Sequence, residues 1–178
     1  SPEQQQVLLG ARPNHDRTMQ DQRTGSLCYG ALYDYFARRA DFTPGWSLPF
    51  PDELKETERA LKGMSLLRPD TYFNTALVNV YDTGDIITPH TDSSDFGDEI
   101  VAVSFKSEQT ICFALRTPRT IRPGKWETND PRNPVTSIRL PPNSALIMTG
   151  PSRTHYKHWV PPTEAPRISL TLRQAREP

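Results

Sequence analysis

Apolar positions along this chain follow two different periods, and the change falls near Phe73. Before it, the stretch "YGALYDYFARR" places Leu32, Tyr35 and Phe36 at helical spacing and predicts a short amphipathic helix. "PFPDELKETERALKG" predicts a second helix more strongly. Pro51 stands at its first turn, Asp52 and Glu53 at its positive end, Glu58 four residues before Lys62, and Gly63 at its stop. Residues Ser1 to Gly25 are polar without an apolar period and read as loop, with one short strand at most. From Phe73 onward short runs of β-type residues alternate with turn residues: "FNTALVNVY", "EIVAVSF", "TICFAL", "VTSIRL", "SALIMTG", "HYKHWV" and "RISLTLR". The pattern predicts an α+β, mainly β domain, a sandwich or barrel with a helical layer on one side. No internal repeat is visible.

Composition supports this picture. The 178 residues suit one domain, and an apolar fraction of 35% with 18 prolines favours strands and loops over a helical bundle. Lys plus Arg balances Asp plus Glu at 21 each, so any argument for a nucleic-acid or membrane surface must be local. Cys28 and Cys112 are far apart and lack a zinc-ligand spacing, which predicts two buried thiols in a reducing compartment. With neither a charged and apolar leader nor an apolar run near 18 residues, neither a signal peptide nor a membrane span is expected. The expected setting is intracellular, cytoplasmic or nuclear, and the expected state a monomer.

Candidate chemistry enters with "IITPHTDSSDFG". On an extended segment residues two apart face one side, so His90 and Asp92 would present an imidazole and a carboxylate to a common point. Such a pair alone is a cheap signal. A third ligand should come from a distant strand, and "TGPSRTHYKHWV" supplies His155 and His158. Two histidines and one carboxylate leave three positions of an octahedral iron(II) open, and zinc accepts the same ligands. In "RISLTLR" one face carries Arg167, Ser169, Thr171 and Arg173, the other Ile168, Leu170 and Leu172. Solvent is the default surrounding for arginine, but a small dianion would use such guanidinium forks. Asn79 and Tyr81 share one face of "VNVY" and can donate to a carboxylate, while Val78 and Val80 face the core.

Taken in order, "NVYDTGDIITPHTD", "SALIMTGPSRTHYKHWV" and "RISLTLR" closely resemble the AlkB-like family of iron(II)- and 2-oxoglutarate-dependent dioxygenases. The resemblance runs from about Phe73 to Arg173. It implies one domain over residues 1–178, with a double-stranded β-helix (jelly-roll) core at 73–174. Residues 1–72 would be an N-terminal extension whose helices pack on one sheet and supply the substrate lid. His90, Asp92 and His158 match the metal ligands, with His155 the weaker distal candidate. Arg167 matches the arginine that clamps the distal carboxylate of 2-oxoglutarate, and Arg173 a second, catalytic arginine near the metal and the substrate. Asn79 and Tyr81 match the cofactor's hydrogen-bonding pair. The family's chemistry couples decarboxylation of 2-oxoglutarate, with dioxygen as co-substrate, to hydroxylation of a carbon on the target. An N-methyl group so hydroxylated leaves as formaldehyde. The chain departs from the family at Ser169, where many members carry asparagine. It departs again at Ser94, where several repair members carry an acidic base contact.

The implied activity is demethylation of N-alkylated bases in RNA or DNA. Hydroxylation of modified wobble uridine in transfer RNA, to which "FGDEIVAVSF" with "MTGPSR" points, is the second reading. A protein side chain as substrate is the third, and a silent nucleic-acid-binding module the non-enzyme alternative. Between Arg116 and Arg139, Arg116, Arg119, Arg122, Lys125, Arg132 and Arg139 outnumber Glu127 and Asp130 around Trp126. Such a loop could follow a phosphate backbone and stack a base, or simply be solvated. Tyr29, Phe96, Tyr156 and His90 are further stacking candidates.

Overall fold

The run Arg167–Arg173 becomes a central strand buried on both faces. The computed structural model describes residues 21–22, 25–34, 39–42, 47–116 and 134–176. In chain order their elements are β1 (Asp21–Gln22), β2 (Gly25–Gly30), β3 (Leu32–Asp34), β4 (Arg39–Asp41), α1 (Asp52–Gly63), β5 (Thr75–Tyr81), β6 (Ile86–His90) and β7 (Ile100–Phe105). They continue with β8 (Gln109–Leu115), β9 (Thr136–Leu140), β10 (Ser144–Met148), α2 (Pro151–Thr154), β11 (Tyr156–Val160) and β12 (Arg167–Arg173). Two five-stranded antiparallel sheets result, in the orders β10-β7-β12-β5-β2 and β1-β6-β11-β8-β9. They form an unclosed double-stranded β-helix.

Period-two alternation separates the environments on the two faces of β12. Ile168, Leu170 and Leu172 join Ala76, Val78, Val101, Leu61, Leu67 and Phe73 in one core, covered by α1. On the other face Arg167, Ser169 and Thr171 are equally buried, beneath the second sheet. The two sheets are joined by a second core, in which Ile100 and Met148 of the first meet Ile111, Phe113 and Leu140 of the second. The arginine-bearing face therefore lines an interior, against the usual preference of arginine for water.

The helix α1 forms as its pattern predicts, with Pro51 just before it and the Glu58–Lys62 pair closed at 2.9 Å. Glu58 also accepts from the backbone N–H of Phe73 at 2.8 Å, tying the helix to the start of β5. The expected helix at "YGALYDYFARR" is not one. Leu32–Asp34 and Arg39–Asp41 pair as an antiparallel hairpin instead. Three apolar residues across barely a turn do not distinguish helix from strand, and Gly30 ends any continuous helix with φ +73°. Only glycine fits there, because a Cβ would lie 1.8 Å from the Asn74 carbonyl oxygen. Thus α1 is the one N-terminal helix among the described residues. The change of pattern near Phe73 is also not a structural boundary, since β2 pairs with β5 along its whole length. Both cysteines are free, Cys112 buried and Cys28 half-buried; burial pushes both thiols up, as for inert side chains. No helix among the described residues is long and apolar enough to cross a membrane.

Candidate metal centre

Strands β6 and β11 pair antiparallel with His90 opposite His158, so two histidines far apart in sequence meet as a cross-strand pair. Their ring centroids are 4.3 Å apart. The register slips between them and the next pair, Ile87 opposite Val160, leaving extra chain in β6 at Thr88 and Pro89. Proline has no N–H to give the ladder, and a bulge accommodates it. His90 Nδ1 lies 2.8 Å from the Thr88 carbonyl. A carbonyl can only accept, so Nδ1 carries a proton, and Nε2 is the nitrogen left to face a metal.

Asp92 lies beyond the end of β6, in a loop rather than on an extended strand. Its placement beside the histidines is tertiary. The buried Arg153 donates to its carbonyl at 3.0 Å, and Arg173 Nη2 donates to its Oδ1 at 2.9 Å. Oδ2 faces His158 Nε2 at 3.5 Å and is buried with no hydrogen-bond donor. Burial opposes ionisation of Asp92, but Arg173 above all outweighs it, and the carboxyl is held well below the usual carboxylate range. Burial and the neighbouring His90 push His158 down to about 3, so its imidazole is neutral at ordinary pH. The contact between His158 and Asp92 is therefore no ion pair. One ligand atom each from His90, Asp92 and His158 lie within 4.8 Å of one another. Two imidazoles and a carboxylate with a free oxygen suit iron(II) or zinc.

A second set of donors lies on the β10-β7-β12-β5-β2 sheet. Arg167 is 3% exposed, with its guanidinium 5.1 Å from the centre of the Tyr81 ring and Nη2 donating to Ser104 Oγ at 2.8 Å. Nε and Nη1 are buried and have no acceptor. Tyr81 Oη and Ser169 Oγ are 3.4 Å apart, and Asn79, also buried, stands opposite Ser169 in the ladder. A permanent cation holding two unused donors in a protein interior fits a small carboxylate ligand.

His155 does not join the cluster. It is exposed beyond α2, and its Nδ1 pairs with Thr154 Oγ1 at 2.7 Å. Of the stacking candidates, Tyr29 packs on the α1-covered core, and Tyr156 on the core between the sheets. Phe96 is buried among Ala31, Ala40 and Ala175, with the Arg173 guanidinium 5.0 Å from its ring centre. Phe96 is thus covered, whereas Tyr29 and Tyr156 are only partly buried. Arg139 sits on β9 and binds Glu108 through two bonds of 2.9 and 2.7 Å, so its charge is already matched. Arg119, Arg122, Lys125, Trp126 and Arg132 lie outside the described residues. Sequence reasoning missed the role of Arg153, which nothing in "PSRT" distinguishes from a surface arginine.

Comparison with known proteins agrees with this geometry. The family profile described as the 2OG-Fe(II) oxygenase superfamily matches residues 3–173. RNA demethylase ALKBH9B of Arabidopsis thaliana is 32% identical over 157 residues, 85% of this chain and 30% of that protein. DNA oxidative demethylase ALKBH2 of Bos taurus is 32% identical over 124 residues, 66% of this chain and 42% of that protein. The chain thus spans less than half the length of either relative. The solved structure of OsALKBH1 shares the fold with a TM-score of 0.63 at 17% identity, covering 94% of this chain and 87% of that one.

Proposed function

The chain belongs to the 2OG-Fe(II) oxygenase superfamily, in its AlkB-like branch, and from that premise we propose that it oxidatively demethylates N-alkylated bases in RNA or DNA. One observation carries the reading: Arg173, which holds Asp92 of the His90, Asp92 and His158 cluster, shares a face of β12 with Arg167 and its unsatisfied donors. Bound iron(II) with 2-oxoglutarate supplies an oxidant, made from dioxygen as the cofactor is decarboxylated to succinate, that hydroxylates a carbon of the substrate.

The protein's own residues prepare that chemistry. His90 offers Nε2, because Thr88 holds the proton on Nδ1. His158 offers a neutral ring, and Asp92 offers Oδ2, because Arg173 occupies Oδ1. The Arg167 fork would hold the distal carboxylate of 2-oxoglutarate, and Tyr81, Asn79 and Ser169 would supply further hydrogen bonds to it. Burial of this pocket keeps water and stray reductants from the reacting carbon.

The test is incubation with iron(II), 2-oxoglutarate, ascorbate and single-stranded RNA or DNA carrying N-methylated adenine or cytosine, beside transfer RNA with modified wobble uridine. Products are identified by mass. The expected result is loss of one methylene mass with release of formaldehyde, fastest on single strands, where no base pair must open. Gain of one oxygen on the wobble uridine without formaldehyde would replace this reading with transfer-RNA hydroxylation. Tight cofactor binding with no turnover of any nucleic acid would point to a protein side chain.

A further inference from the structure

We propose that Arg153 is a positioning residue that builds the loop from Asp92 to Gly97 before any metal arrives, so that Asp92 is presented ready-made to the ion. The inference rests on the assignment of Asp92 as a metal ligand. Arg153 is 5% exposed, and its guanidinium spends its donors on one loop. Nη1 donates to the carbonyl of Asp92 at 3.0 Å, Nε to Gly97 at 3.3 Å, and Nη2 to Phe96 at 3.3 Å and to Ser93. Four carbonyls of six consecutive residues thus converge on one planar cation.

The middle of the loop is also tied to the segment after β12, where Phe96 bridges Ala175 and the Arg176 N–H donates to the Asp95 carbonyl, but Arg153 is the side chain that reaches the Asp92 end as well. The loop leaves β6 at His90, where continued antiparallel pairing would carry it on alongside β11 toward Tyr156. Instead the Phe96 N–H returns to the Ser93 carbonyl at 3.2 Å, and Gly97 donates to the Gln174 carbonyl at 2.7 Å, just beyond β12. Arg153 lies at the centre of this turn, on the short helix that leads from β10 into β11. It therefore links the segment before His158 to the segment carrying Asp92. Phe96, on the same loop, is the ring beneath Arg173, whose Nη2 holds Asp92 Oδ1. A shift of the loop would displace both the carboxylate and the arginine that orients it. Lysine could not substitute, because one ammonium cannot span carbonyls set in a fork.

The test compares Arg153→Met and Arg153→Lys with the unaltered chain by anaerobic titration with iron(II) in the presence of 2-oxoglutarate. The readout is the charge-transfer absorption of the loaded site, and melting of the metal-free proteins checks that each is folded. Arg153→Met should be folded and lose iron affinity about 10- to 100-fold, the range typical of groups that orient metal ligands. Arg153→Lys should recover only part of it. Unchanged affinity in folded Arg153→Met, or full recovery by lysine, overturns the proposal.

Should the methionine variant not fold, hydrogen exchange in the unaltered chain decides. The Phe96 and Gly97 amides should be protected in the metal-free protein nearly as well as when iron(II) is bound. Free exchange that slows only on adding iron(II) would mean the metal, not Arg153, organises the loop. Failure of the unaltered chain to bind iron(II) at all would instead sink the assignment of the site, and this proposal with it.

Discussion

Replacing Arg167 by methionine should weaken 2-oxoglutarate binding severely while leaving the metal-free protein at least as stable as before. These opposite signs follow from how the side chain is held. It is 3% exposed, yet it meets no carboxylate, its neighbours being Tyr81 and the Ser104 hydroxyl, and Nε and Nη1 have no acceptor. Burial pulls its affinity for the proton down, a sign of the same cost. An unsatisfied buried donor costs about 1–3 kcal/mol, and more on a charged group, so removing the guanidinium relieves at least that much. Loss of the Ser104 bond offsets about 1 kcal/mol. Methionine fills a similar volume with apolar atoms, and the net expectation is a gain of roughly 0–2 kcal/mol. In a domain of this size that raises the melting temperature by about 0–8 °C. Against the cofactor the balance reverses: a buried carboxylate deprived of its cation costs about 3–5 kcal/mol, or roughly two to three and a half orders of magnitude in affinity. Scanning calorimetry of the metal-free protein and titration calorimetry with 2-oxoglutarate, anaerobically at saturating iron(II), measure the two effects separately. A variant that melts several degrees lower and keeps its cofactor affinity would refute the reasoning and return Arg167 to a structural role.

The remaining expectations concern single side chains. His158→Ala should abolish iron(II) binding by anaerobic titration, whereas His155→Ala should retain it, because only His158 stands opposite His90. Arg173→Gln should lower turnover more than iron affinity, since Arg153 still holds the Asp92 loop while Oδ1 loses its charged partner; steady-state rates against iron titrations separate the two. Gly30→Ala should destabilise the fold by more than about 2 kcal/mol in denaturant unfolding, given its left-handed φ and the Asn74 carbonyl in the way. Neutralising Arg119, Arg122 and Lys125 together should flatten the salt dependence of single-strand binding, measured by fluorescence anisotropy, and leave substrate-free decarboxylation intact.

Local pattern was enough to read α1 and seven of the eight strands from Thr75 onward, because their periods and turn residues are set within a few neighbours. It was enough as well to read which face of β12 is apolar, and, through the order of the motifs, that His158 rather than His155 belongs with His90 and Asp92. Other features depend on residues too distant for any local pattern to show. The hairpin at Leu32–Asp34 and Arg39–Asp41 overrode a helical spacing that spans too few residues to define a helix. The polar face of β12 could have met water, and only the second sheet makes it an interior. His90 and Asp92 were read as neighbours on one extended strand, but they face the same point because a bulge at Thr88 and Pro89 turns one, and Arg153, some 60 residues along the chain, holds the other. A side chain's type is local information. Which carbonyls its guanidinium reaches is decided when two sheets close over a loop, and that closure is where the candidate centre is assembled.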